Sequence, residues 1–70
     1  MENYVSEVQK LVTIIKDQSF DTKIRLEAIK SLGKLGTNEA VHELLLIIEN
    51  DKADMADRKE AWKQVGKLLK

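Results

Sequence analysis

The sequence contains no cysteine and no proline, and only three of its 70 residues are aromatic. Without cysteine the chain forms no disulfide bond and no thiolate metal site, so packing alone must keep it folded. Because aromatic side chains are so few, the core must be mostly aliphatic. A chain of this length is predicted to be one domain, close to the lower size limit for an independent apolar core.

An excess of charge of one sign and a long apolar run are also lacking. Twelve basic residues balance twelve acidic ones, so bulk charge predicts attraction neither to nucleic acid nor to membranes. The longest apolar run, Leu44–Ile48, is far shorter than the roughly 20 residues that span a bilayer. The first ten residues carry two acids and no apolar segment typical of a signal peptide. We therefore expect a cytoplasmic protein that does not associate with membranes.

What the sequence does contain is an internal repeat. When the chain is compared with itself after a shift of 33 residues, twelve of 37 aligned positions are identical. A period of this length is typical of helical-repeat proteins, whose units stack to bury a shared core. The identical pairs are Val8/Val41, Leu11/Leu44, Ile14/Ile47, Ile15/Ile48, Asp21/Asp54, Arg25/Arg58, Glu27/Glu60, Ala28/Ala61, Lys30/Lys63, Gly33/Gly66, Lys34/Lys67 and Leu35/Leu68.

Apolar residues recur every three or four positions within each copy, which predicts amphipathic helices. Asp21 and Asp54 precede the second helix of each copy, where a carboxylate can accept hydrogen bonds from free amides. Gly36 followed by Thr37 predicts the end of one helix and the start of the next. No segment alternates with a period of two, so no strand is expected. These patterns predict an all-α fold with helices at about 2–17, 21–35, 38–50 and 54–69.

The stretch DTKIRLEAIKSLGKLG, which runs from Asp21 to Gly36, resembles the second helix of a HEAT repeat of the phycobilisome-lyase type. The next segment, NEAVHELL, resembles the following first helix of that family. The resemblance implies a four-helix α-solenoid fragment made of two HEAT-like helical hairpins. Repeat one would cover about 4–36 and repeat two about 37–69 of the single domain 1–70.

The resemblance also implies a structural role for the repeated acids and arginines. In the family these residues join neighbouring repeats by hydrogen bonds, which implies the same for Asp21, Arg25, Asp54 and Arg58. The helical wheel agrees for one of them, because Arg25 falls on the apolar side of its helix, where a charge must be paired. We therefore interpret this pattern as structural rather than as a ligand site.

The two copies differ at positions that predict how each copy meets its surroundings. Asp57 replaces Ile24, so we expect it to face water at the outer side of a terminal repeat. Leu46 replaces Thr13 and Trp62 replaces Ile29, so two larger apolar groups appear in the second copy. Two interpretations are open: Trp62 fills the core, or it forms with Leu46 an apolar patch for a homodimer or another partner.

Lysines form a strip along the two second helices, which line the concave side in the proteins that this chain resembles. One interpretation is that they are solvated and paired with glutamates of their own helix, Glu27 and Glu60. The other is that they form a groove for an acidic peptide or a phosphate backbone. The lysines of the strip are Lys23, Lys30, Lys34, Lys63 and Lys67.

Catalytic chemistry has little support in the sequence. His42 is the only histidine, no cysteine accompanies it, and no phosphate-binding or metal-binding loop is present. We therefore predict a protein-interaction or scaffold module that is not an enzyme and has no cofactor or metal. The alternative is a module that recognises nucleic acid or phosphate through the lysine strip. We expect a protein partner, and a homodimer is a further expectation because two repeats are fewer than the three or so usually needed for stability.

Overall fold

The computed structural model describes residues 6–69, which form four α helices and no strand. The predicted all-α fold of four helices is confirmed for this part of the chain. Two packed helical hairpins follow each other, and no helix in this range is long and apolar enough to cross a membrane. The helices are α1 (Glu7–Lys16), α2 (Thr22–Leu35), α3 (Asn38–Glu49) and α4 (Met55–Leu68).

The first helix begins later than the apolar spacing predicts. Ser6 has an extended backbone (φ −65°, ψ 159°), and its Oγ accepts a hydrogen bond from Gln9 N at 3.1 Å. This is a serine N-cap, which satisfies an amide that has no partner in the first turn. A helix that continues through position 6 is therefore wrong. The predicted helical positions 2–5, and the first residues of repeat one, lie outside the described residues.

In both hairpins the same kind of turn joins the two helices. Asp17 Oδ1 accepts hydrogen bonds from Ser19 Oγ at 2.7 Å and Ser19 N at 2.9 Å. Asn50 occupies the equivalent position in the second hairpin, and its Oδ1 accepts from Lys52 N at 3.0 Å. The two bonds from Ser19 favour the charged carboxylate and lower the pKa of Asp17. Because both turns contain this side-chain to backbone hydrogen bond, the chain enters the second helix of each hairpin in the same way.

The ends of the inner helices follow the signals in the sequence. Asp21 Oδ1 accepts from Ile24 N at 3.0 Å and caps α2. Gly36 ends α2 with φ 60°, a left-handed conformation that costs glycine little. Thr37 Oγ1 then accepts from Ala40 N at 3.1 Å and starts α3. The observed bounds of α2, α3 and α4 lie within one residue of the predicted ones.

The hairpins share one core. Helix α2 packs against all three other helices, and most extensively against α4. Ile29, Leu32 and Leu44 are fully buried, and burial of each such side chain contributes roughly 1.5–3 kcal/mol. The buried apolar residues of this core are Val8, Val12, Ile15, Ala28, Ile29, Leu32, Ala40, Leu44, Ala61 and Val65.

Some residues of the predicted apolar stripes remain half exposed. Ile24, Leu35 and Leu45 are 44%, 43% and 42% exposed. The equivalent of Ile24 in the second hairpin, Asp57, is buried because the first hairpin covers it. Within residues 6–69 no hairpin precedes the first one and covers Ile24. This residue of the apolar stripe therefore lies at the surface.

Candidate functional surfaces

A buried arginine joins the two hairpins. Arg25 lies in α2, and its side chain is 4% exposed. Its Nε donates to Asp57 Oδ2 at 2.9 Å and its Nη2 donates to Asp54 Oδ2, so both carboxylates come from the second hairpin. Its Nη1 donates to the carbonyl oxygen of Phe20 at 2.7 Å. The guanidinium therefore bridges the hairpins and also fastens the turn of its own hairpin.

The contacts of Arg25 keep it charged. The hydrogen bond to Asp57 raises the pKa of Arg25 above its ordinary value, and the charges of Asp57, Asp54 and Asp21 act in the same direction, against the effect of burial. A buried cation that keeps its proton needs a buried anion. Asp57 is that anion, because its side chain is also 4% exposed. We assign the cluster a structural role, since its charged groups bind each other.

The expectation that Asp57 faces water is therefore wrong. Its position in α4 faces the first hairpin rather than the outer side, and the carboxylate that replaces Ile24 serves the arginine opposite. Its second oxygen, Oδ1, has no hydrogen-bond partner among the described residues. The sequence did contain a signal for this contact: an acid at an aliphatic position of one copy, and an arginine on the apolar side of the other.

The residues implied by the resemblance to join the repeats take different roles. Arg25 and Asp54 contact each other across the hairpins, whereas Asp21 caps its own helix. Arg58 Nε donates to the carbonyl oxygen of Ile48 at 3.1 Å, within the second hairpin. Asp54 stands at the N-cap position of α4, but its carboxylate makes no cap hydrogen bond. The expected cap is replaced by the contact with Arg25.

Four lysines surround one shallow depression where α2 and α4 meet. Lys30 and Lys34 come from α2, and Lys63 and Lys67 come from α4. The depression has a volume of about 440 Å³, and we refer to it as the four-lysine depression. Lys23, the fifth lysine of the predicted strip, is exposed but does not line it.

The floor of the four-lysine depression is polar and closely packed. Gln64 Nε2 donates to Glu60 Oε2 at 2.7 Å, and both side chains are buried. Gln64 also lies against Gly33, where an added Cβ would come within 2.8 Å of Gln64 Cδ. The absence of a side chain at Gly33 thus lets α4 approach α2 and brings the two pairs of lysines together. Sequence reasoning missed this role of Gln64.

The lysines are less neutralised than intrahelical pairing predicts. Lys30 Nζ lies 3.6 Å from Glu27 Oε2, and this is the one ion pair of the four lysines within residues 6–69. The expected pair between Glu60 and Lys63 is not formed there, because Glu60 accepts from Gln64 instead. An exposed pair such as Lys30 with Glu27 contributes little. Four ammonium groups line the depression together with one carboxylate, that of Glu60, so it presents net positive charge to anions.

Trp62 is 70% exposed, so the interpretation that it fills the core is wrong. It belongs to a shallow depression on the outer side of the second hairpin. Leu46 is 44% exposed but lines a different groove, together with Val12 and Ile15. The two side chains expected to form one patch thus lie on separate surfaces. The depression at Trp62 is lined by Ile48, Met55, Arg58, Lys59 and Trp62.

The surfaces offer binding by charge and by apolar contact. Within residues 6–69 no group of three or more His, Cys, Asp or Glu side chains could hold a metal ion. His42 is exposed on α3. A scan against models of protein families finds no match to this chain, and searches of curated proteins and of solved structures find no similar protein.

Proposed function

We propose that the chain is a small HEAT-like module that binds other proteins and has no catalytic activity, and that an acidic segment of the partner binds in the four-lysine depression. The observation that carries this proposal is the convergence of lysines from two helices on one surface. Neither helix alone supplies all four. In this proposal the hairpins are an α-solenoid fragment whose second helices form the binding surface.

The character of the depression favours a carboxylate-rich peptide. Lysine ammonium groups are mobile point charges, which pair with carboxylates without a fixed geometry. The lining residues include no aromatic or large apolar side chain that could anchor a hot-spot residue. Each exposed ion pair contributes roughly 0.2–1 kcal/mol, so the binding is weak, reversible and sensitive to salt. The lack of cysteine supports a reducing, cytoplasmic setting for it.

The test is the affinity of a fluorescent peptide rich in aspartate and glutamate. We expect binding to the wild-type chain at low salt, measured by fluorescence anisotropy. In the double variant Lys34→Glu with Lys67→Glu, which reverses one charge on each helix, the affinity should fall by more than about tenfold, because attraction becomes repulsion.

The matched control is the double variant Lys23→Glu with Lys59→Glu. It makes the same change in net charge on the same two helices, but neither residue lines the depression. Its affinity should stay within about threefold of wild type, since only the long-range field changes. Equal losses in the two double variants would contradict a localised site and leave only a diffuse effect of net charge.

Nucleic acid or a phosphate group is the second candidate, because the same four ammonium groups can meet phosphate oxygens. It is less favoured, since bases of a single strand stack on aromatic side chains and none lines the depression. The same assay with a single-stranded oligonucleotide decides between them. Tighter binding of the oligonucleotide than of the peptide, with a steep dependence on salt, would favour this candidate.

A further inference from the structure

One face of α2 is covered by the second hairpin. Arg25, Ile29 and Gly33 follow each other at intervals of four residues and so share this face. Arg25 is 3% exposed and contacts Asp57, and Ile29 is 0% exposed. Gly33 is in contact with Gln64. These positions are the surface on which the next hairpin docks.

The same face of α4 has no such cover among the described residues. The equivalent positions are Arg58, Trp62 and Gly66, and two of the three residue types are unchanged. Trp62 is 70% exposed, and the neighbouring Met55 is 58% exposed. We name Arg58, Trp62 and Gly66, with the adjoining Ile48 and Met55, the open face.

In the part of the chain that the structure describes, no other helix packs against Gly66 closely enough to require a glycine there. A glycine inside a helix weakens it relative to alanine. At Gly33 this cost is offset, because the missing Cβ admits Gln64 of the next hairpin. Apart from its chain neighbours and the backbone of its own helix, a Cβ at Gly66 would meet no atom of residues 6–69 within 4 Å. The space beside Gly66 is thus the space that a following hairpin would occupy.

The first hairpin carries the groups that would fit this space. The second hairpin docks through Asp54, Asp57 and Gln64, and the residues 33 positions earlier are Asp21, Ile24 and Ser31. Asp21 is exposed, Ile24 is 44% exposed and Ser31 is half-buried. We name these three residues the leading face.

We propose that a second copy of this chain docks its leading face on the open face, so that the hairpins continue in the register the chain already uses. Asp21 of the second copy would then pair with Arg58, as Asp54 pairs with Arg25. Ile24 of the second copy, which corresponds to Asp57, would lie against Arg58 beside Trp62, and Ser31 would lie against Gly66. This inference concerns a different surface from the four-lysine depression and does not depend on it.

Charge selects this head-to-tail arrangement over a dimer of two open faces. Facing open faces would oppose Arg58 and Lys59 of one copy to the same residues of the other, which is unfavourable. The leading face instead offers the exposed carboxylate of Asp21 to Arg58. A head-to-tail contact leaves a new open face on every added copy, so association is not limited to a dimer.

The test is sedimentation equilibrium of the full chain over a range of concentrations. We expect the average mass to rise past that of a dimer. Trp62→Glu, at an exposed position, and Gly66→Leu should each weaken association by more than about tenfold. Gly66→Leu should also raise the Tm, because leucine favours a helix and its Cβ has free space. Leu46→Glu, which changes an exposed apolar residue on a different surface, is the control and should associate as wild type.

Mixing separates head-to-tail docking from a symmetric dimer. Ile24→Lys blocks the leading face and keeps the open face, whereas Trp62→Glu does the opposite. Each variant alone should be a monomer, and an equimolar mixture should form a dimer that grows no further. Three results would overturn the proposal: wild type that stays monomeric to about 1 mM, Ile24→Lys that associates as wild type, or Leu46→Glu that loses association as Trp62→Glu does. Circular dichroism confirms that every variant is folded.

Discussion

At the scale of single residues, the guanidinium of Arg25 holds the hairpins together with contacts to two carboxylates. The nearer carboxylate, Asp57, is as buried as the arginine itself. Such a pair contributes little net stability compared with apolar residues of the same size, but loss of one partner leaves an uncompensated charge. The cluster therefore specifies how the hairpins dock more than it stabilises them.

Asp57→Ala should destabilise the chain by about 3 kcal/mol, because Arg25 would stay charged and buried with only the half-exposed Asp54 as a carboxylate partner. A 70-residue chain has a free energy of unfolding on the order of 5 kcal/mol, so this variant should keep only about 2 kcal/mol of stability. Urea denaturation followed by circular dichroism measures the effect. Asp51→Ala, which removes an exposed acid from the nearby turn, should cost under about 0.5 kcal/mol. An equally small loss for Asp57→Ala would refute the assigned role.

Replacing the pair together should behave differently. Arg25→Met combined with Asp57→Leu removes both charges and should recover most of the stability lost in Asp57→Ala, since an apolar pair avoids the desolvation penalty. The measurement is the same urea series on Arg25→Met, on Asp57→Leu and on the double variant, read as a double-mutant cycle. Additive losses in the two single variants would show that the residues are not coupled.

Alanine substitutions at the two repeated glycines should change the free energy of unfolding in opposite directions. Gly66→Ala should raise the free energy of unfolding by roughly 0.5–1 kcal/mol, because the helix gains and the Cβ has free space. Gly33→Ala should lower it by about 1 kcal/mol, since Gln64 must move and loses its bond to Glu60. Thermal denaturation at low micromolar concentration compares the two. A change of the same sign in the free energy of unfolding of both variants would contradict the packing described at Gly33.

Residue roles were only partly predictable from the sequence. The helical wheel shows that Arg25 needs a partner, because that follows from its own helix. It does not show which acid of another helix approaches, so Asp57 was expected in water. The burial of Gln64 could not be predicted from the sequence either, because it depends on the distance between α2 and α4.

At the scale of the helices, the caps explain which ends were predictable. Asp21, Gly36 and Thr37 have local mechanisms that can be recognised in the sequence, and the ends they mark are confirmed. Ser6 stands inside an apolar pattern that suggests a longer helix, so its cap was missed. Asp54 stands at the N-cap position of α4, but its carboxylate accepts a hydrogen bond from Arg25 of the first hairpin instead of capping the helix.

Asparagine substitutions separate these two kinds of aspartate. Asp21→Asn should change the free energy of unfolding by less than about 0.5 kcal/mol, because asparagine caps a helix as well as aspartate does. Asp54→Asn should cost about 1 kcal/mol, since Arg25 loses one of its charged acceptors and the site is half exposed. Chemical denaturation of both variants provides the comparison. A larger loss at Asp21 than at Asp54 would contradict the assignment.

At the scale of the whole molecule, the hairpins depend on each other. The first hairpin keeps Ile29 and Arg25 buried only while the second covers them. A peptide of residues 1–36 should therefore be mostly unfolded, with far less helix by circular dichroism than its share of the full chain. A helical content equal to that of the same residues in the full chain would show that one hairpin is stable alone, against the usual behaviour of repeats.

The repeat predicted the architecture better than it predicted the surfaces. Periodicity and caps depend on neighbours along the chain, and they determined the number and order of helices. The lysine strip was also visible as a pattern, but its convergence on one depression requires the packing of α4 against Gly33. The exposure of Trp62 depends on whether another hairpin packs against its side of α4. A comparison of the two copies along the sequence does not show where such a neighbour lies.

The most direct test of the proposed function is an NMR titration of the isotope-labelled chain with the acidic peptide. We expect the largest changes in amide chemical shift in α2 and α4 around the depression, at Lys30, Gly33, Lys34, Lys63 and Lys67. Charge reversal at Lys34 and Lys67 should abolish these changes. Shift changes centred instead on Met55 and Trp62, or spread evenly over the lysines of the chain, would contradict it.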